Sequence, residues 1–281
     1  MVRIGCHLSI AGGFKMAARR AAELGCETLQ VFSRSPRGGK ARPLDDQDVR
    51  EFREILASAG IHPAVVHAPY YINLAAVDPV AIDYTREIVA DDLRRAAALG
   101  ASYVVSHMGH SDCDDAQAVV ARMLDSIFGA CPGNGVLLLL ENTAGQGKEI
   151  GQDFGYIAGV IALSARPERI GFCFDTSHAF GAGYDVATAR GLDQTFKEMA
   201  ATIGLSRLRV VHTNDSKDAL GAHRDRHEHI GKGLIGRQGF RSLLARPEVA
   251  GLPAILETPL STYEANKMNL DALFALRGVQ E

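Results

Sequence analysis

Six apolar runs in this chain each lead into a residue that can bind a metal ion. Ala64-Val65-Val66 runs into His67, Tyr103 to Ser106 into His107, Val136 to Leu140 into Glu141, Phe172-Cys173-Phe174 into Asp175, Val210-Val211 into His212, and Ala254-Ile255-Leu256 into Glu257. Buried parallel strands read as continuous apolar runs, and in a barrel of alternating strands and helices the catalytic side chains stand where those strands end. Six ligand-type side chains would therefore meet at one mouth. His178, three residues past Asp175, and the pair Asp225 and His227 in Asp225-Arg226-His227 extend the set to five imidazoles and four carboxylates, with no thiolate. That mixture suits zinc, manganese or iron in a hydrolytic site better than a structural zinc, which favours cysteine. A single catalytic zinc takes about three protein ligands plus water, so this set is large enough for two or three ions. Ions about 3.5–4 Å apart are a known arrangement for in-line phosphoryl displacement. Any one histidine or carboxylate at a strand end is more often a hydrogen-bonded loop residue. Their coincidence carries the reading, because carboxylates clustered at one mouth repel each other unless cations lie among them.

The elements that must position these residues follow from periodicity. Strands are expected near Ile4 to Ser9, Thr28 to Ser33, Ala64 to Ala68, Tyr103 to Met108, Val136 to Asn142, Ile170 to Thr176, Leu208 to Asn214 and Pro253 to Thr258. Between them, stretches such as Phe14 to Leu24, Asp46 to Ala59, Pro79 to Leu99 and Thr188 to Ile203 repeat apolar residues at helical spacing. Gly25, Gly60, Gly100 and Gly204 each follow such a stretch, where a glycine in the left-handed conformation stops a helix. Eight strands alternating with about eight helices match a single (β/α)8 TIM barrel over residues 1–281, with its active site at the C-terminal ends of the strands. A doubly wound open sheet would alternate too, but Ile10-Ala11-Gly12-Gly13-Phe14 lacks the glycine spacing of a dinucleotide-binding turn and reads as a tight turn into the first helix.

Composition bounds the rest. The chain has 281 residues, 47% hydrophobic and 22% charged, enough for a large core. Met1 to Gly5 leads straight into a strand, and no apolar stretch reaches the length of a membrane span, so a cytoplasmic protein is expected. Five unevenly spaced cysteines point to reduced thiols, with Cys6 and Cys173 as small core residues of their strands. The formal charge of −3 is unlike that of a nucleic-acid binder.

The motifs nevertheless resemble one family of DNA enzymes along essentially the whole chain. Ile4-Gly5-Cys6-His7-Leu8-Ser9 with Gly12-Gly13, His67-Ala68-Pro69-Tyr70, Glu141-Asn142-Thr143-Ala144-Gly145-Gln146-Gly147 and Phe174-Asp175-Thr176-Ser177-His178-Ala179-Phe180 with Gly183-Tyr184-Asp185 are similar to the signatures of endonuclease IV. So are His212-Thr213-Asn214-Asp215-Ser216-Lys217, Asp225-Arg226-His227-Glu228-His229-Ile230-Gly231 and Leu256-Glu257-Thr258-Pro259. The resemblance implies a zinc-dependent apurinic/apyrimidinic endonuclease of base excision repair, hydrolysing duplex DNA 5′ to an abasic site and acting also on blocked 3′ ends. It implies three Zn²⁺ ions per chain, replaceable by Mn²⁺ or Fe²⁺, with His67, His107 and Glu141 on the first, Glu141, Asp175, His212 and Glu257 on the second, and His178, Asp225 and His227 on the third. Glu141 and Glu257 would be the catalytic carboxylates, Arg37 and Tyr70 the residues that enter the DNA, and the enzyme a monomer with no obligate protein partner. Three such ions would move the formal charge from −3 to about +3. Arg34, Arg37, Lys40, Arg42, Lys148, Lys217, Arg224, Arg226 and Lys232 fall in loops on the same mouth, where a phosphate backbone would pass. The chain departs from the family pattern in lacking tryptophan, in having Gly38-Gly39 for a bulkier residue after Arg37, and in having Met108 where a proline follows the histidine.

Two other functions compete. A metal-dependent sugar isomerase or epimerase on a related barrel would use Glu141, Asp175, His212 and Glu257 alone, leaving His67, His107, His178, Asp225 and His227 without purpose. A noncatalytic lesion- or metal-binding protein would have no need of an intact ligand set.

Overall fold

The computed structural model describes residues 1–39, 41–257, 259 and 262–278. Lys40, among the basic loop residues, and Thr258, at the expected end of the last strand, lie outside the described residues. Eight parallel strands close into a barrel: β1 (Arg3–Leu8), β2 (Thr28–Phe32), β3 (Ala64–His67), β4 (Tyr103–Ser106), β5 (Leu137–Glu141), β6 (Ile170–Asp175), β7 (Leu208–His212) and β10 (Pro253–Leu256). Neighbours pair in sequence order around the ring, and β1 closes it against β10 with Gly5 opposite Ile255. The interior is a small apolar plug of Val65, Val105, Leu139, Cys173, Val210 and Ile255, one residue from each of six strands. The outward faces of the strands pack on the helices in a second, much larger core. This inside-outside alternation leaves the strand ends above the plug as the place where polar side chains converge.

The strands begin close to where the apolar runs begin, but most stop one or two residues short of expectation. β4 ends at Ser106, β7 at His212 and β10 at Leu256. Beyond β7 and β10 side chains take over two backbone donors. Glu257 N–H donates to Asn214 Oδ1 (2.8 Å) and Asn214 N–H to Thr176 Oγ1 (2.9 Å).

The helices Phe14–Leu24 (α1), Asp46–Ala59 (α2) and Pro79–Leu99 (α3) have the expected bounds, and Gly25, Gly60 and Gly100 take the left-handed conformation after them. Gly204 differs. The helix before it ends at Thr202 with Ile203 still right-handed, and Gly204 (φ 85°, ψ 127°) opens a 3-10 turn instead. A short antiparallel pair, β8 (Asp215–Ser216) with β9 (His227–Glu228), was not expected from the sequence and ties the Asp225-His227 loop back to the end of β7. Asp215 anchors the same loop, accepting from the backbone N–H groups of Gly231, Gly233 and Ile235. No helix among the described residues is long and apolar enough to cross a membrane.

Candidate metal centre

The residues singled out by type and spacing come together at one mouth. His67, Glu141, Asp175 and His212 end their strands, His107 and Glu257 stand one residue past theirs, and His178, Asp225 and His227 come from the following loops and helix. Potential ligand atoms gather in overlapping groups: His67 with His107 and Glu141, Glu141 with Asp175, His212 and Glu257, and Asp175 with His178 and His227. Asp225 joins the last group, its Oδ1 lying 3.2 Å from His178 Nε2 and 3.1 Å from His227 Nε2. Asp175 therefore touches the third group as well as the second. The groups border a cavity of about 370 Å³ rimmed by His7, Phe32, Tyr70, His107, His178, Asp225, His227, Glu257 and Asn266.

Local sequence explains why the donors point inward. Asp175 is the N-cap of the short helix Thr176–Ala182: its Oδ1 accepts from His178 N–H at 2.7 Å, so the D-x-x-H spacing sets both side chains at once. Asn214 Nδ2 donates to the other oxygen of Asp175 at 2.6 Å. Each of three imidazoles spends Nδ1 on a backbone carbonyl: His67 on Ala68 (2.6 Å), His178 on Asn142 (2.9 Å) and His227 on Glu257 (2.8 Å). This is the outer hydrogen bond that fixes the tautomer of a metal-binding histidine and leaves Nε2 as the donor. After His107 the missing proline is replaced by a clasp. Asn73 bonds both the N–H and the carbonyl of His110, and Gly109 (φ 92°) permits it, since a Cβ there would lie 2.1 Å from Asn73 Oδ1.

The electrostatics favour occupancy by cations. Glu141, Asp175 and His212 are 0% exposed, His67 1% and His178 2%, so their charges have little water to lean on. Burial opposes ionisation of Glu141, yet His212 and His107 hold it well below the usual carboxylate range. Burial also opposes protonation of His178 and His212, but Asp175 and Asp225 raise the first, and Glu257 and Glu141 the second, well above the ordinary value. His227 is pushed up to about 9 by Asp225 and Asp175 against the same burial, whereas burial takes His107 down to about 4. Protons thus stand in for missing positive charge. The donor chemistry agrees: His227 Nε2 is buried without a hydrogen bond although Asp225 Oδ1 is 3.1 Å away, as befits two atoms facing a common partner. The residues present fit divalent ions.

Other expectations need correction. Arg34 is 5% exposed, and its guanidinium is bound to Asp92 (2.8 Å) and Asp91 (2.5 Å), so it braces the loop after β2 and cannot meet DNA. Arg226 is held by Asp218 and Lys148 by Asp112. Arg37, Arg42, Lys217, Arg224 and Lys232 are exposed and make no ion pair among the described residues. Tyr70 is 60% exposed on the rim, edge-on to Phe32 (5.3 Å between ring centres). Cys6 and Cys173 are buried free thiols, as expected of core residues. Cys173 also lies against Glu141 and His212, within reach of the second group. Sequence reasoning gave no role to Gln30, Asn142 and Asn214, which carry no ligand chemistry of their own; Asn142 and Asn214 stand within the quoted motifs, and the signal at Gln30 is an amide set within an apolar run.

A closed parallel barrel with overlapping His and carboxylate groups at its C-terminal mouth defines a (β/α)8 protein equipped for divalent metal ions. Residues 18–276 match the xylose isomerase-like TIM barrel family model. The chain is 42% identical to "Probable endonuclease 4" of Methanoculleus marisnigri, covering 99% of this chain and 100% of the relative, and 41% identical to the same-named protein of Methanosphaerula palustris over 97% of each. The crystal structure of endonuclease IV from Thermus thermophilus superposes with a TM-score of 0.88 at 36% identity, covering 98% of both chains. The chain belongs to the endonuclease IV family and is by that membership a DNA-repair nuclease.

Proposed function

We propose that this protein hydrolyses the phosphodiester 5′ to abasic sites in duplex DNA, leaving a 3′-hydroxyl and a 5′-deoxyribose phosphate, and that it also clears blocked 3′ ends. The observation that carries the reading is the overlap of separate ligand groups through Glu141 and Asp175, with His107, His178, His227 and Glu257 from those groups lining one cavity. A one-metal isomerase would need Glu141, Asp175, His212 and Glu257 and nothing of the flanking groups. His67, His107 and Glu141 would hold one zinc, Glu141, Asp175, His212 and Glu257 a second, and His178, Asp225 and His227 a third. When bound, such ions supply Lewis acidity toward water and phosphoryl oxygens. Glu141 and Glu257 would be the catalytic carboxylates, and their oxygens lie 2.8 and 3.3 Å from His212 Nδ1, so all three face one place. The protein would work as a cytoplasmic monomer.

The rim would position the substrate. Arg37, Arg42, Lys217, Arg224 and Lys232, exposed and without an ion pair among the described residues, offer charge for phosphates, which orients a duplex without reading its sequence. A nucleotide without a base is the cheapest to swing out, and Tyr70 with Arg37 would occupy the gap it leaves. Replacing Tyr70 by alanine is expected to weaken binding to abasic duplex by about 1–3 kcal/mol, the worth of one aromatic stacking contact, with metal content unchanged. Gel-shift titration beside elemental analysis checks it; equal affinity would return Tyr70 to a purely structural rim.

The reaction is tested with a duplex labelled at each end and bearing one abasic site. Cutting should leave a 3′ end that a polymerase extends directly, should stop with strong chelator, and should accompany close to three divalent ions per chain. A blocked 3′ end, or an imine adduct trapped by borohydride, would overturn the hydrolytic reading.

A further inference from the structure

Gln30 lies in β2 between Leu29 and Val31 and is fully buried. Its amide nitrogen is 2.7 Å from Glu257 Oε1 and 3.0 Å from His7 Nδ1, and its carbonyl oxygen is 2.9 Å from His212 Nε2. Hydrogen-bonding capacity settles which atom is which. A carboxylate only accepts, so the group facing Glu257 is the NH₂ and the group facing His212 is the oxygen. The oxygen only accepts in turn, so His212 must carry a proton on Nε2. Nδ1, which lies 2.8 Å from Glu141 Oε1 and 3.3 Å from Glu257 Oε2, is then the nitrogen that can give its lone pair to an ion. The second N–H of the amide goes to His7 Nδ1, so one side chain spends both donors and its carbonyl oxygen on three residues of the mouth.

His67, His178 and His227 each give their outer bond to a backbone carbonyl. His212 has instead a side chain from the far side of the barrel, and that side chain also fixes the rotamer of Glu257. We propose that Gln30 is a positioning residue which sets the tautomer of His212 and the orientation of Glu257 together, and so tunes the metal group made by Glu141, Asp175, His212 and Glu257 while touching neither ion nor substrate. This rests on the metal reading above and narrows it to one of the groups.

Gln30→Met keeps the length and nearly the volume of the side chain and removes its polar contacts. Losing an outer partner of a metal ligand typically costs about 10–100-fold in metal affinity. The variant is expected to melt near the parent temperature, to lose about that factor in zinc affinity at one site in competition with a chromogenic chelator, and to keep the remaining sites. Its cobalt-substituted form should show a shifted visible spectrum, a signature that a merely structural role would not move. Gln30→Ala, which admits water, gives the same readouts if the methionine variant does not fold. Parent-like zinc affinity with an unchanged cobalt spectrum in a folded variant would overturn this inference alone. A parent protein that holds no divalent ion would overturn the metal reading and this inference with it.

Discussion

Glu141→Gln is expected to give a folded protein that cuts abasic duplex more than about 100-fold more slowly than the parent, a loss beyond that of an outer-sphere partner because a shared ligand is involved. The carboxylate is fully buried and divides its oxygens between two groups. Oε2 lies 3.3 Å from both His67 Nε2 and His107 Nε2, while Oε1 lies 2.8 Å from His212 Nδ1 and 3.4 Å from His178 Nδ1. Glutamine is nearly the same size but replaces one oxygen by an NH₂ that cannot accept. Whichever way the amide turns, one group loses an oxygen donor and is shown a hydrogen instead. His107→Gln should be milder, since His107 serves the first group alone and is partly open to solvent. Turnover with saturating DNA, beside elemental analysis of both variants, checks the ranking. Near-parental cutting by Glu141→Gln would remove that residue from the centre of the mechanism.

That ranking was partly visible in the amino-acid sequence. The apolar runs placed His67, Glu141, Asp175 and His212 at strand ends because buried parallel strands permit few polar residues until they emerge. The D-x-x-H spacing at Asp175 and His178 was equally readable, although its meaning as a helix cap that aims both side chains needed the structure. What stayed hidden depended on partners distant in sequence. Arg34 looked like any basic loop residue until Asp91 and Asp92, on α3, turned it inward. Gln30 pairs with Glu257 across 227 positions, and no local pattern announces such a contact. The β8–β9 pair is two residues long on each side, too short for a period of two to stand out.

Metal binding should depend on pH most steeply at the group containing His178, Asp225 and His227. In the metal-free protein Asp175 and Asp225 raise His178 well above its ordinary value, against its burial, and His227 is held at about 9. Both imidazoles therefore carry protons at neutral pH, and an ion must displace them. Each displaced proton makes the apparent affinity fall about tenfold per pH unit over the range in which its imidazole is protonated, which for His227 lies below about 9. The first group behaves differently: burial already keeps His107 neutral, at about 4, and only His67 is raised, so its slope is at most about tenfold per unit. On acidification the third ion should leave first. Stability runs in opposite directions with and without metal. The raised His227 stabilises the metal-free fold fully below its unfolded value of about 6.5, and that contribution is lost as pH rises through about 9. The loaded protein gains affinity over the same interval. The melting-temperature difference between loaded and metal-free protein should therefore widen from about pH 6 to about pH 9. Competitive metal titrations at several pH values, with melting of both forms, decide it. Equal pH slopes at all sites, or a gap that narrows with pH, would show that protons do not hold the places assigned here to metal ions.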